Sequence, residues 1–191
     1  MSILKSNKCC QHLKNLFNLD NNLSSNFHIK HNPQELNENE FFAIKMFKGL
    51  RSKDLNRKIY KGIGLNNDEQ QYVSILDSAL AKMPDNNVST YRVLSFHDKS
   101  EYEKFINQFN NEKIEFPSYT FASTDPDGLI KHSLNAPYQV KLRIDSKQGK
   151  YLGNYYQKDE VIFPRNSSFF VSKKEQHGNT FYSLLEDINP L

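Results

Sequence analysis

Residues 88–96, VSTYRVLSF, mark the point at which the chain changes from helical to extended patterning. β-Branched and aromatic residues dominate this stretch, as they do in strands. Shorter stretches of the same kind follow it, at 118–123, 138–144, 161–163, 168–171 and 180–185. One helix-like segment, 100–110, lies among them. The second half of the chain is therefore predicted to consist mainly of short strands.

The residues before this stretch predict helices. Asn37 and Glu40 have the spacing of a capping box, in which each side chain bonds the other residue's backbone. Apolar residues then recur at helical spacing in three successive segments, the last of them at 72–83. Helices first and strands later, without regular alternation, predict an α+β fold rather than a doubly wound parallel sheet.

Residues 1–35 are rich in Asn, Lys, Ser and His, and we interpret them as a leader segment or a helical hook. A folded domain is expected over 36–191. Cys9 and Cys10 are adjacent, which disfavours a disulfide between them, and they are interpreted as free thiols, with acylation as the alternative.

The composition excludes several classes of protein. Apolar residues make up 37% of the chain and aromatic residues 13%, which is typical of a globular protein. Net charge is +3, from 25 Lys and Arg against 22 Asp and Glu, so nothing indicates a nucleic-acid partner. No segment has the apolar length of a membrane span or a signal peptide, and no membrane partner is expected. Histidines are scattered singly and no ligand spacing predicts a metal site.

Three polar features stand out in the strand-rich half. Arg92 lies in an otherwise apolar strand, where it is either a solvent-facing charge or an anion clamp, because guanidinium matches phosphate oxygens two at a time. Ser123 and Thr124 end a strand and could simply cap a turn. Glu160 precedes an apolar strand and could be an ordinary strand-entry charge. An Arg, a Ser and a Glu from separate strands could, however, converge on one polar site.

At these residues the chain resembles the mono-ADP-ribosyltransferase family, in particular its bacterial exotoxin and effector branch. That branch is marked by an Arg, a Ser-Thr-Ser segment and a terminal Glu. The corresponding segments here are YRVL at 91–94, FASTD at 121–125 and KDEVIFP at 158–164. The resemblance covers about residues 36–174, and the order and spacing of the motifs carry it rather than any one of them.

The resemblance implies a fold in which N-terminal helices pack on two small, mostly antiparallel sheets that form an NAD cleft. It implies an enzyme that cleaves the nicotinamide–ribose bond of NAD and transfers ADP-ribose to a protein side chain, with NAD as co-substrate and no metal. The protein substrate would belong to a host cell. The enzyme would enter that cell as a monomer, without a cleaved signal peptide. Otherwise the enzyme would be cytoplasmic. The alternatives are an NAD glycohydrolase of the same fold and a non-catalytic binding module.

The resemblance also implies roles for individual residues. Arg92 would bind the NAD phosphates and the nicotinamide-side ribose, and the backbone of Val93, where a Gly is usual, would hold the nicotinamide amide. Ser123 would brace the cleft and orient Glu160, with Thr124 supporting the strand end. Glu160 would bond a ribose hydroxyl and stabilise the oxocarbenium-like transition state. The expected catalytic residues are Arg92, Ser123 and Glu160, and the expected NAD-binding residues are Arg92, Val93, Phe121, Ser123, Thr124 and Glu160.

Recognition of the acceptor is expected in the turn that contains Tyr155, Tyr156, Gln157 and Lys158. Lys158 stands where the family usually has Glu or Gln. Because a lysine repels a guanidinium group, arginine modification is disfavoured unless a flanking residue such as Asp159 takes the place of the usual side chain.

Three further positions bear on the cleft. Asp125 replaces the third Ser of the motif, at the fringe of the site. Lys131 and His132 lie in the loop that the family closes over the NAD phosphates, and both are candidate contacts.

Overall fold

The computed structural model describes residues 36–47, 52–86, 88–126, 135–152 and 159–188. These residues fall into two compact units, divided between Pro84 and Asp85. Helices form the first unit and strands dominate the second, so the predicted α+β class is confirmed. The leader predicted for 1–35, with Cys9 and Cys10, lies outside the described residues, and the domain boundary at residue 36 stays a prediction.

The first unit contains helices α1 (Glu38–Phe47), α2 (Ser52–Tyr60) and α3 (Asn67–Lys82). The predicted capping box begins α1: the Glu40 N–H donates to Asn37 Oδ1 at 3.0 Å, and the Asn37 N–H donates to Glu40 Oε2 at 2.9 Å. Asn66 and Glu69 exchange the same two bonds at the start of α3. Local side chains thus satisfy backbone donors that have no partner within either helix.

Buried polar contacts join α1 to α3. The Tyr72 hydroxyl donates to the Ala43 carbonyl at 2.7 Å in the core of this unit. Glu40, only 3% exposed, accepts hydrogen bonds from Ser78 Oγ at 2.7 Å and Lys82 Nζ at 2.8 Å. Burial acts to raise the pKa of Glu40, but the bonds from Lys82, Ser78 and the Asn37 backbone outweigh it, so the pKa lies below its usual value.

The second unit is built on eight strands. In chain order its elements are β1 (Thr90–Phe96), α4 (Lys99–Ile106), a 3-10 helix (Asn107–Asn110), β2 (Lys113–Phe116), β3 (Thr120–Ser123), β4 (Tyr138–Asp145), β5 (Lys150–Tyr151), β6 (Glu160–Phe163), β7 (Ser167–His177) and β8 (Thr180–Asp187). The strand order across the sheet is β2-β7-β8-β4-β1-β3-β6-β5. Every neighbouring pair is antiparallel except β4 and β8, which run parallel.

One face of the sheet carries the apolar core of this unit. Alternate residues of β4, Val140, Leu142 and Ile144, are almost fully buried there. The helical segment between β1 and β2 packs on the same face, with Tyr102 stacked on Tyr138 at 5.3 Å between ring centroids. Because side chains alternate along a strand, the opposite face receives the polar residues.

The strands form one continuous sheet rather than the two small sheets expected. β1 bonds to β4 along its whole length but to β3 through a single residue pair, Tyr91 and Ser123. That pair joins the group β2-β7-β8-β4-β1 to the group β3-β6-β5. Residues so distant in sequence leave no local pattern that predicts their pairing. Each group alone has the mostly antiparallel character that was expected, with β4 and β8 as the parallel pair.

The observed strands also differ from those predicted from the sequence where a strand is short or exposed to solvent. β7 continues to His177, well past the predicted end at residue 171, because β8 pairs with its exposed, charged half. Gly178, with φ of 57°, supplies the positive φ that the tight turn between these strands requires. The sequence pattern does not predict β2 or β5, which have four and two residues.

Candidate active site

A row of three side chains crosses the sheet where β1, β3 and β6 adjoin. Tyr91 pairs directly with Ser123, and Ser123 pairs directly with Glu160. Directly opposed residues point to the same face of a sheet, with Cβ atoms about 5 Å apart. Tyr91, Ser123 and Glu160 therefore project together from the face opposite the apolar core.

Glu160 is held by strands on both sides. It begins β6, pairs with Ser123 of β3, and accepts a 2.8 Å hydrogen bond at its backbone carbonyl from the Leu152 N–H, just after β5. The next three residues, Val161–Phe163, are fully buried and anchor the strand. The side chain is half-buried, with its Oε2 atom shielded from solvent. The backbone of Glu160 is therefore fixed on both sides, and one of its two carboxylate oxygens is shielded from solvent.

Ser123 closes a tight turn at the end of β3. Its Oγ accepts a hydrogen bond from the Asp125 N–H at 3.0 Å, and the Thr124 N–H donates to the Asp159 carbonyl at 2.7 Å. These two bonds fix the strand end and continue the pairing of β3 with β6 by one position. A hydroxyl that accepts one bond still has its own proton to donate, and a neighbouring carboxylate is a suitable acceptor.

Arg92 spans the gap that opens between β1 and β3. Within these two described strands, pairing stops at Tyr91 and Ser123, and beyond that pair the Arg92 Nη1 donates to the Phe121 carbonyl at 2.5 Å. Desolvation lowers the pKa of Arg92 to about 10, so the guanidinium stays charged at neutral pH. Guanidinium has five N–H donors, and one bond to a carbonyl leaves others to bind an anion.

The structure brings the expected catalytic residues together to different degrees. Ser123 and Glu160 are immediate neighbours. Arg92 alternates with Tyr91, so its Cβ starts on the core face of β1, and its guanidinium bonds the backbone carbonyl of Phe121, two residues before Ser123. Arg92 is therefore a part-buried cation that bonds from β1 to β3, rather than a solvent-facing charge.

The remaining expected NAD contacts that the structure describes are sequence neighbours of Arg92 and Ser123. Val93 follows Arg92 on β1, and its side chain is half-buried. Phe121 and Thr124 lie on either side of Ser123 along β3 and the turn after it, also half-buried.

Several expected contacts lie outside the described residues. These are Tyr155, Tyr156, Gln157 and Lys158 in the acceptor turn, and Lys131 and His132 in the loop after β3. Their roles stay predictions.

Tyr91 belongs to the motif at 91–94, but the sequence predicts no role for it in the site. Its position beside Arg92 in an alternating strand indicates only that the two side chains lie on opposite faces. The cross-strand register, which no local pattern encodes, is what aligns Tyr91 with Ser123 and Glu160.

Two features are absent from the described residues. In the part of the chain that the structure describes, no three His, Cys, Asp or Glu side chains lie close enough to hold a metal ion. Of the described helices, none combines the length and hydrophobicity that crossing a bilayer requires.

Comparisons with solved structures identify the same fold in bacterial toxins. The chain is similar to Vis toxin, an ADP-ribosyltransferase from Vibrio splendidus, with 19% identity, 99% of this chain and 87% of that chain covered, and a TM-score of 0.66. Vis in complex with agmatine matches at 23% identity, 81% and 76% coverage, and a TM-score of 0.65. Exoenzyme S from Pseudomonas aeruginosa, in complex with human 14-3-3 protein beta and bound to carba-NAD, matches at 15% identity, 95% and 88% coverage, and a TM-score of 0.71.

Sequence comparison establishes the family. The sequence model of the ADP-ribosyltransferase exoenzyme family matches residues 14–187, nearly the whole chain. A search of curated proteins gives no significant match. The chain belongs to the ADP-ribosyltransferase exoenzyme family and is an NAD⁺–protein ADP-ribosyltransferase, as the resemblance in its motifs predicts.

Proposed function

We propose that this enzyme binds NAD in the gap between β1 and β3, cleaves the nicotinamide–ribose bond with Glu160, Arg92 and Ser123, and transfers ADP-ribose to a side chain of a host protein. The observation that carries the proposal is the direct pairing of Ser123 with Glu160 beside a gap that the Arg92 guanidinium spans. The complex of exoenzyme S with carba-NAD supports NAD as the co-substrate in a protein of this fold.

Bond cleavage needs stabilisation of positive charge rather than a general acid. The nicotinamide of NAD is already cationic, so it leaves as a neutral ring and takes the electron pair of the C–N bond with it. Positive charge then develops on the ribose, in a transition state like an oxocarbenium ion. A fixed, partly desolvated carboxylate at Glu160 lowers the energy of that state and accepts a hydrogen bond from a ribose hydroxyl.

The other two residues support this carboxylate. Ser123 Oγ accepts the Asp125 N–H, and we assign its own proton to Glu160. Arg92 already donates one hydrogen bond to the Phe121 carbonyl, and the remaining donors of its guanidinium would bind the pyrophosphate.

The acceptor completes the reaction by attacking the anomeric carbon and losing a proton. Agmatine, which is bound to Vis, is a small guanidinium acceptor suited to a first test. Lys158 in the acceptor turn would repel such a cation, and it favours water as a second candidate acceptor. Free ADP-ribose without a labelled acceptor would identify the enzyme as a glycohydrolase.

Replacing Glu160 tests the proposed role directly. We expect Glu160→Gln to slow nicotinamide release by about 100- to 1,000-fold, because the amide keeps the shape but loses the negative charge. Glu115→Gln is the matched control, since Glu115 is exposed on β2 at the opposite edge of the sheet. Near-normal nicotinamide release by Glu160→Gln would overturn the assignment.

The protein partner can be identified with the same pair of proteins. A host-cell lysate is treated with an alkyne-tagged NAD analogue and either the intact enzyme or Glu160→Gln, and labelled peptides are identified by mass spectrometry. We expect a small set of proteins labelled only by the intact enzyme. Equal labelling by both would contradict a transferase role for Glu160.

A further inference from the structure

Arg92 and Glu160 belong to different parts of the sheet. Arg92 lies on β1, in the larger strand group β2-β7-β8-β4-β1, and Glu160 lies on β6, in the smaller strand group β3-β6-β5. Between the described strands of the two groups, direct pairing is limited to Tyr91 and Ser123. The separation of Arg92 from Glu160 therefore depends on the other contacts that hold the groups together.

The turn at residues 146–149 is a second connection, because it joins β4 of the larger group to β5 of the smaller group. The Asp187 carboxylate, at the end of β8, accepts hydrogen bonds from Ser146 Oγ and, at 3.0 Å, from the Lys147 N–H. The Gln148 N–H donates to Ser146 Oγ at 3.1 Å. The turn is therefore bound to the larger group before the chain enters β5.

The side-chain amide of Gln148 ties this turn to two strands at once. Its Nε2 donates to the Ser168 carbonyl of β7 at 2.8 Å and to Asp187 Oδ1 at 3.0 Å. Its Oε1 accepts the Ser168 N–H at 3.4 Å. An amide can make all of these bonds because it carries a donor and an acceptor on one planar group. A carboxylate could not donate here, and an apolar side chain could neither donate nor accept.

The residues after Gln148 connect it to Glu160. Gly149 packs so closely on β6 that an added Cβ would stand 2.6 Å from Val161 Cγ1. The two residues of β5 then pair with β6, and the Leu152 N–H donates to the Glu160 carbonyl at 2.8 Å. Gln148 is thus bound to the larger group directly and, through β5, to the strand that carries Glu160.

We propose that Gln148 is a positioning residue for the reaction: its amide fixes the turn between the two strand groups and thereby holds the Glu160 carboxylate at a fixed separation from Arg92. The inference rests on the proposed function, since it concerns the same site. Gln148 acts through β5 and β6 rather than on NAD itself. Because Glu160 acts mainly on the transition state, its displacement lowers kcat more than it weakens NAD binding.

Gln148→Met tests this role, because methionine has a similar length but no strong donor or acceptor. We expect kcat for nicotinamide release to fall by about 10- to 100-fold, since a displacement of about 1 Å in a catalytic group can cost that much. KM for NAD, and the affinity for the uncleavable analogue carba-NAD, should stay within about threefold of wild type. Calorimetric titration with carba-NAD also gives the fraction of each variant that binds, and kcat is calculated on that fraction.

Gln148→Glu provides a second test, in which one protein is compared with itself at different pH values. The ionised carboxylate cannot donate to the Ser168 carbonyl and would lie beside the Asp187 carboxylate. That neighbour raises the pKa of the introduced group, and its protonated form has an O–H that can donate to either acceptor. Its activity, as a fraction of wild-type activity at the same pH, should therefore be highest near about pH 5 and fall towards about pH 8.

Two controls separate positioning from stability. Ser183→Ala removes a buried hydrogen bond, from Oγ to the Lys173 carbonyl at 2.9 Å, between β8 and β7 of the larger group. Gln176→Met removes an exposed glutamine whose Nε2 donates to the Gly178 carbonyl at 3.1 Å, at the turn between β7 and β8. Both should keep wild-type kcat, because neither bond connects the two strand groups.

The proposal is overturned if folded Gln148→Met keeps wild-type kcat, if Ser183→Ala loses as much kcat as Gln148→Met, or if the relative activity of Gln148→Glu does not change with pH. A loss of carba-NAD affinity as large as the loss of kcat would also overturn it, since Gln148 would then shape the binding site rather than position Glu160. Failure of the proposed function would instead appear in the wild-type protein, as absence of NAD cleavage.

Discussion

Arg92 is a cation that the fold partly desolvates, and its chemistry explains why lysine is a poor substitute. Burial lowers the pKa of Arg92 to about 10, which still leaves it charged in any ordinary assay buffer. Lysine begins about two units lower, so the same desolvation brings its titration into the assay range. We expect Arg92→Lys to bind carba-NAD more weakly than wild type at pH 7, and to lose further affinity as the pH rises to 9.

Calorimetric titrations between pH 6 and pH 9 measure this difference. The wild-type affinity should change little over the range, because its guanidinium remains protonated. Arg57→Lys, at an exposed site on α2, should follow the wild-type profile. An affinity of Arg92→Lys that is independent of pH would mean that the residue at position 92 is better solvated than the structure indicates.

Two buried tyrosines allow a matched test of hydrogen bonding. The Tyr102 hydroxyl has no hydrogen-bond partner among the described residues, and burial raises its pKa, whereas the Tyr72 hydroxyl donates to the Ala43 carbonyl at 2.7 Å. We expect Tyr102→Phe to leave the free energy of unfolding unchanged or to raise it by up to about 1 kcal/mol, and Tyr72→Phe to lower it by about 1 kcal/mol. Urea denaturation measures both. Equal destabilisation would indicate that a buried water binds the Tyr102 hydroxyl.

At the residue scale, the sequence predicts which residues lie together when they belong to motifs of a recognisable type and order. Ser123 and Glu160 could be paired in advance because their motifs have a recognisable order, and the structure makes them direct neighbours. Tyr91 could not, because its place depends on which residue of β3 faces it. A shift of one position in that register would turn Tyr91 away from Glu160.

At the scale of secondary structure, β5 and β6 show how an element is held in place around the site. Gly149 lies just before β5, and a Cβ added to it would stand 2.6 Å from Val161 Cγ1 and 3.0 Å from Phe163 Cε1. Both of those side chains are fully buried in β6, next to Glu160. Neither can move without disturbing the core.

Gly149→Ala should therefore lower both stability and activity. We expect a loss of about 1 to 3 kcal/mol in the free energy of unfolding, as for overpacking, and a fall in kcat because β6 carries Glu160. Gly64→Ala, where an added Cβ meets nothing within 4 Å, should be neutral or slightly stabilising. Thermal denaturation and nicotinamide release measure the two effects. Equal melting temperatures for the two variants would contradict the steric account.

Helices and strands with a strong local sequence pattern could be predicted. Strands that form only because a neighbouring strand pairs with them could not. Helices α1, α3 and α4 begin at capping residues, and β4 and β8 show the alternation of strands with one buried face. β5, with two residues, exists because β6 pairs with it. The parallel pairing of β4 with β8 likewise follows from how the whole sheet closes, not from either strand's composition.

Across the whole molecule, each compact unit contains a carboxylate with a lowered pKa. Glu40 in the first unit is bonded by Lys82, Ser78 and the Asn37 backbone. Asp187 in the second is bonded by the Ser146 and Gln148 side chains and the Lys147 backbone. In both cases burial acts to raise the pKa and these bonds outweigh it.

These two carboxylates predict how the fold responds to acid. A carboxyl group whose pKa is lowered by folding binds protons less readily in the folded chain than in the unfolded chain. Its contribution is therefore complete above the unfolded-state pKa, near 4.5 for Glu40 and 3.8 for Asp187, and is lost as the pH falls through the folded-state value.

We expect Glu40→Gln and Asp187→Asn to be less stable than wild type at pH 7. Denaturant titrations from pH 7 to pH 3 should show each difference shrinking at the acidic end, while Glu175→Gln, at an exposed site on β7, follows wild type throughout. A difference that stays constant down to pH 3 would mean that the shape of these side chains, and not their charge, stabilises the two units.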